Sequence, residues 1–152
     1  MKLSHCLATG LLGALVACSN AEAPANTPES FTASTLSSEA ETGRLAAILV
    51  YADWCGSCKV LDPKLQAAKA EGAIDGVSYH ILDYTARDED SFFAAADALG
   101  VGTAIRSKLS DGVKTGILLL VDVDDGEIVG DLRKELSSED IRAALEAAAL
   151  DA

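Results

Sequence analysis

Positive charge is scarce in this chain. Twelve lysines and arginines stand against 24 aspartates and glutamates, a formal net charge of −12. A surface this acidic argues against nucleic acid and against anionic lipid as electrostatic partners. Histidine is rarer still, with only His5 and His80, and no second closely spaced cysteine pair accompanies Cys55 and Cys58. A structural zinc site takes about four ligands, so no metal is expected. No glycine-rich dinucleotide fingerprint is present, and no organic cofactor is expected. The apolar stretch Leu7 to Ala17, interrupted by Thr9 and glycines, is too short to span a bilayer. Proline is limited to three residues, none of them beyond Pro63. No internal repeat occurs.

What is present begins with a leader. Met1-Lys2 and the apolar stretch after it read as a secretory signal, ending in Leu15-Val16-Ala17-Cys18. That tetrapeptide resembles a bacterial lipobox, which implies cleavage before Cys18 and lipidation of that cysteine. Cys6 would leave with the leader, so Cys55 and Cys58 would be the remaining thiols. A compartment outside the cytoplasmic membrane permits disulfides. One acyl chain holds a protein only weakly and several hold it stably, and the lipoprotein resemblance implies several. Ser19 after the lipidated residue resembles the pattern for outer-membrane sorting. Residues 1–17 are thus expected to be a signal peptide. Residues 18–43, rich in Ala, Ser, Thr, Glu, Pro and Asn, are expected to be a flexible tether, with a typical span of about 25–30 Å.

The chemistry is concentrated in Trp54-Cys55-Gly56-Ser57-Cys58-Lys59. The apolar run Leu45 to Ala52 precedes it and predicts a strand covered on both faces. Cys58 to about Glu71 has helical spacing, with Val60, Leu61, Leu65 and Ala68 as apolar positions and Pro63 as a kink. The strand delivers the first cysteine to the sheet rim. The helix aims its unpaired N–H groups and positive dipole end at the sulfur, which favours the nucleophilic thiolate. The second cysteine, one turn on, is close enough to close a disulfide and release a bound partner. Further on, Ser78 to Tyr84 predicts a strand and Asp88 to Leu99 a helix. Residues 101–116 are ambiguous, with helical character around Ala104 to Leu109. Ile117 to Val123 and Glu127 to Leu132 predict a hairpin around Asp124-Asp125-Gly126. The acidic turn fails the spacing of a calcium loop. Ser137 is expected to cap a last helix with Ile141, Leu145 and Ala148 inward. The predicted class is α/β: a mixed sheet with helices on both faces.

The segment Leu49 to Lys59, with Pro63 five residues after Cys58, resembles the active-site strand, loop and helix of the thioredoxin family. The resemblance covers residues 44–152 and implies a thioredoxin-like fold. It implies that Cys55 attacks and Cys58 resolves, and that Trp54, Gly56, Ser57, Thr115 and Gly116 form the partner-binding rim. The chain departs from the family pattern in three places. Thr115-Gly116 stands where the family carries a cis-proline. A cis bond without proline costs about 2.5–4 kcal/mol, so a trans bond is expected, with a freer loop and extra space beside the sulfurs. Leu49 replaces a buried carboxylate. Ser57 replaces the proline usual between the cysteines. Asp53 is expected to point outward, His80 to be structural, and Lys59 either to favour the thiolate or to solvate the helix.

Two functions follow as expectations. The first is a membrane-tethered, periplasm-facing thiol–disulfide oxidoreductase acting on protein thiols and disulfides with a membrane redox partner. The second is a thioredoxin-fold binding or adaptor module, metal handling among its possible roles, without redox turnover, motivated by Leu49 and the missing proline.

Overall fold

The computed structural model describes residues 43–152. The leader, Cys18 and all of the expected tether except Gly43 lie outside the described residues. Four strands and four helices form among the described residues, in the order β1 (Leu45–Tyr51), α1 (Gly56–Ala70), β2 (Val77–Asp83), α2 (Glu89–Ala98), α3 (Gly102–Lys108), β3 (Ile117–Asp122), β4 (Glu127–Arg133) and α4 (Ser138–Asp151). The sheet order is β2-β1-β3-β4. β2 runs parallel to β1, and β3 and β4 complete the sheet by antiparallel pairing. This is the thioredoxin-like α/β architecture that the resemblance implies.

The central strands explain why the sheet is covered twice. Side chains alternate between faces along a strand. Leu45, Ala47 and Leu49 of β1, with Leu118 and Leu120 of β3, pack with Leu61 and Leu65 of α1 and Ile141 and Leu145 of α4. Ala46, Ile48 and Val50, with Ile117, Leu119 and Val121, pack with Phe92 and Ala96 of α2 and Ala104 and Ile105 of α3. Truncating a leucine in either layer to alanine would cost about 2–5 kcal/mol. The inward positions of α1 are Cys58, Leu61, Leu65 and Ala68. Val60, read from the sequence as apolar-side, is 44% exposed. Cys58 takes the inward place, and its neighbour two residues on must turn to the surface.

Polar side chains set the helix starts. Asp88 Oδ1 accepts from the Asp90 and Ser91 amides at the start of α2. Ser137 and Asp140 form a reciprocal capping box on α4. Asp122 is buried, and its Oδ1 accepts from the amides of Asp124 and Asp125 in the hairpin turn. The acidic turn is therefore held by its own backbone. The ambiguous segment contains α3, which begins at Gly102 without a side-chain cap. Because β1 and β3 are antiparallel, the C-terminal end of β1 and the N-terminal end of β3 meet at one rim. The start of α1 lies at that rim.

Candidate active site

After Tyr51 the chain leaves the sheet through Ala52, Asp53 and Trp54, and the Cys55 amide donates to Ala52 O at 3.1 Å. Cys55 has extended backbone and serves as the N-cap of α1, with its Sγ accepting from the Cys58 amide at 3.1 Å. A helix start leaves its first amides without intrahelical partners, and here a sulfur satisfies one. Cys55 and Cys58 form a disulfide with their Cα atoms 5.3 Å apart. The two sulfurs differ in setting. Cys58 is fully buried, whereas Cys55 retains 7% exposure at the rim. Cys58 Sγ lies 3.7 Å from Val50 O, so on reduction a thiol proton there has a backbone acceptor at hand. α1 continues through Pro63, giving up the bond a residue at that position would donate to Lys59 O.

Gly116 forms one wall. Its amide donates to Val50 O at 2.8 Å, and its φ is +81°. A Cβ placed there would lie 2.5 Å from Ser57 Cβ and 3.2 Å from Cys55 Sγ. No cis peptide bond occurs among the described residues. The expected extra space beside the sulfurs is absent at this point. The backbone itself moves into the place a side chain would occupy, and the hydrogen bond to Val50 ties the loop to β1. Thr115 is half-buried next to it.

The loop between β2 and α2 forms the other wall, and sequence reasoning missed it. Asp53 N donates to Thr85 Oγ1 at 3.1 Å, and Trp54 Nε1 donates to Thr85 O at 3.0 Å. Thr85 N in turn donates to Asp83 Oδ1 at 2.8 Å. Tyr84 meets Trp54 edge-on, with ring centres 6.5 Å apart. The Arg87 guanidinium lies over the Trp54 ring, 4.3 Å from its centre. Trp54 itself is 44% exposed. The one signal available in the sequence was the polar Thr85-Ala86-Arg87 stretch directly after a strand that runs parallel to β1.

The remaining candidates separate cleanly. Gly56 is exposed, Ser57 half-buried, and Asp53 and Lys59 are both exposed. Leu49 is completely buried in the layer shared with α1 and α4. His80 stands on β2 opposite Ile48, three residues before the Tyr51–Asp83 pair at the rim. Its ring nitrogen shares a 3.2 Å hydrogen bond with Ser78 Oγ, and burial pushes its pKa down. The site therefore offers an exchangeable disulfide, a backbone donor at the outer sulfur and an aromatic shoulder. No helix among the described residues is long and apolar enough to cross a membrane.

The thioredoxin family model matches residues 26–91, a span that contains β1, the cysteine motif, α1 and β2. No curated protein matches the chain. Solved structures similar to it include Trxlp from Edwardsiella tarda, at 21% identity over 68% of this chain and 84% of that one, with a TM-score of 0.45. StoA from Bacillus subtilis is 16% identical over 70% of this chain and 86% of its own, with a TM-score of 0.48. Fasciola hepatica thioredoxin is 19% identical over 72% and 82% respectively, with a TM-score of 0.41.

Proposed function

We propose that this thioredoxin-like domain is a thiol–disulfide oxidoreductase, held outside the cytoplasmic membrane by lipid on Cys18. The observation that carries the reading is the asymmetry of the pair. Cys55 Sγ sits at the rim as the cap of α1, 3.1 Å from a backbone N–H, while Cys58 is fully buried behind it. In the reducing direction, the Cys55 thiolate attacks a partner disulfide. A Cys55–partner bond forms as the partner's S–S bond breaks, and the departing sulfur takes a proton from water. Cys58 then loses its proton and displaces the partner from Cys55, restoring the internal disulfide. Two electrons pass to the partner, whose second sulfur leaves Cys55 as a thiolate and likewise takes its proton from water. The oxidising direction is the reverse, starting with attack of a partner thiolate on Cys55. The backbone donor and the positive end of α1 stabilise the charged Cys55 sulfur in both directions. Leu49 supplies no carboxylate behind the pair, so the Cys58 proton leaves to water.

The test is the reduction potential of the Cys55–Cys58 pair in the full chain, equilibrated in graded thiol–disulfide buffers. A reversible two-electron transition is expected. A value near about −270 mV would make the protein a reductant of partners, and one near about −120 mV a disulfide donor. No transition would overturn the proposal in favour of a binding module, and undiminished exchange activity in Cys55→Ser would overturn it by taking Cys55 out of the reaction. Cys58→Ser should accumulate mixed disulfides through Cys55. Lipid attachment is tested by labelled palmitate incorporation, which Cys18→Ser should abolish. A membrane redox partner would then supply or remove the electrons.

A further inference from the structure

Arg87 is the one non-glycine residue with positive φ among the described residues, at +58°. That backbone conformation is unfavourable for a side chain with a Cβ, and a glycine would adopt it freely. Holding an arginine there sets its guanidinium over the Trp54 ring at 4.3 Å. A guanidinium stacked on an aromatic face keeps its N–H edge available for a carboxylate. Two of the neighbouring carboxylates are engaged with their own loop. Asp83 Oδ1 accepts from Thr85 N, and Asp88 accepts from the Asp90 and Ser91 amides and from Ser91 Oγ. Among the described residues no carboxylate forms an ion pair with Arg87. A chain of net charge −12 repels an acidic partner at long range. Over Trp54, the residue before Cys55, Arg87 presents a fixed cation that a partner's carboxylate can meet at contact distance.

We infer that Arg87 is a specificity residue, selecting partner disulfides that carry an aspartate or glutamate beside the attacked cysteine. The inference rests on the exchange reaction proposed above. Cys55 thiolate attacks the partner sulfur, the partner's S–S bond breaks, and the freed partner thiolate takes a proton from water. Arg87 takes part in no bond change. It pairs with the partner's carboxylate while the sulfurs align.

The experiment uses the reduced full chain and two disulfide-linked peptides, identical except for Glu or Gln next to the attacked cysteine. Second-order exchange rates are measured at physiological salt for wild type, Arg87→Gln and Arg87→Gly. The glycine variant keeps the loop conformation and so serves even where the glutamine variant fails to fold. The wild-type Glu/Gln rate ratio should exceed that of both variants by about threefold, the scale of an exposed ion pair. A ratio unchanged by the substitutions overturns the inference, even if both rates fall together, since Arg87 would then serve only to hold Trp54. Reaction of wild type with neither peptide would instead overturn the exchange reading, and this inference with it.

Discussion

The loop before β3 reaches the cysteine motif with bare backbone, whereas the loop after β2 reaches it with side chains. Gly116 approaches so closely that a Cβ would lie 2.5 Å from Ser57 Cβ. On the other side, Thr85 and Arg87 hold Asp53 and Trp54 by two hydrogen bonds and a cation over a ring. One wall is shaped by what is missing and the other by what is added. The two should therefore respond to substitution in opposite ways: one tolerates no added atom, and the other loses function gradually as atoms are removed.

The sharpest break of that comparison is at Gly116. Gly116→Val should lower the unfolding free energy by about 2–4 kcal/mol, combining the left-handed backbone with overpacking, as read from denaturant midpoints. Gly116→Pro should be as damaging, because proline holds φ near about −65° and would remove the amide that donates to Val50. Ser57→Gly should relieve part of the cost of Gly116→Ala. If Gly116→Ala costs the same in both backgrounds, contact with Ser57 is not what keeps the position empty.

Thr85→Val should have a smaller effect. It removes the acceptor of the Asp53 amide while leaving Thr85 O in place for Trp54, for a loss of about 1 kcal/mol. Trp54 is the only tryptophan in the chain, so its fluorescence reports on this wall alone. An unshifted spectrum with unchanged stability would show that the side-chain wall does not depend on Thr85.

The smallest effect is expected from acid. The hydrogen bond from the Ser91 hydroxyl, with help from the Ser91 and Asp90 amides, holds the Asp88 carboxyl below its usual range. A depressed folded-state value means that its stabilisation is present above the ordinary carboxylate range and is lost as pH falls through the folded value. The start of α2, next to Arg87, should therefore loosen only under strongly acidic conditions. A shift of Trp54 fluorescence on acidification that is damped in Asp88→Asn is the expected result. An identical acid response in both proteins would detach the cap from the wall.

The parts of the molecule that repeat with a period were legible in the sequence. Leu45 to Ala52 announced a doubly covered strand because every residue is apolar, and Ser137 announced α4 because a capping box is local. Cys55 and Cys58 could be read from spacing alone. Gly102–Lys108 was ambiguous because seven residues without a side-chain cap offer too little period. The Thr85 and Arg87 contacts were hidden because they join positions more than 30 apart through a loop with no pattern. Gly116 misled in the opposite direction. The missing proline suggested room, but a glycine lets the whole chain move inward, and only the three-dimensional approach reveals it.

The sulfur that caps α1 gives the protein an internal reporter of its own chemistry. A charged sulfur is a better acceptor than a disulfide sulfur, so the Cys58 amide should be held most firmly when Cys55 is a free thiolate. It should be held less firmly while Cys55 is bonded to Cys58 or to a partner. Hydrogen exchange at that single amide would then be slower in the reduced protein than in the disulfide form, because the first turn of the helix tightens and slackens with the oxidation state of the atom that begins it.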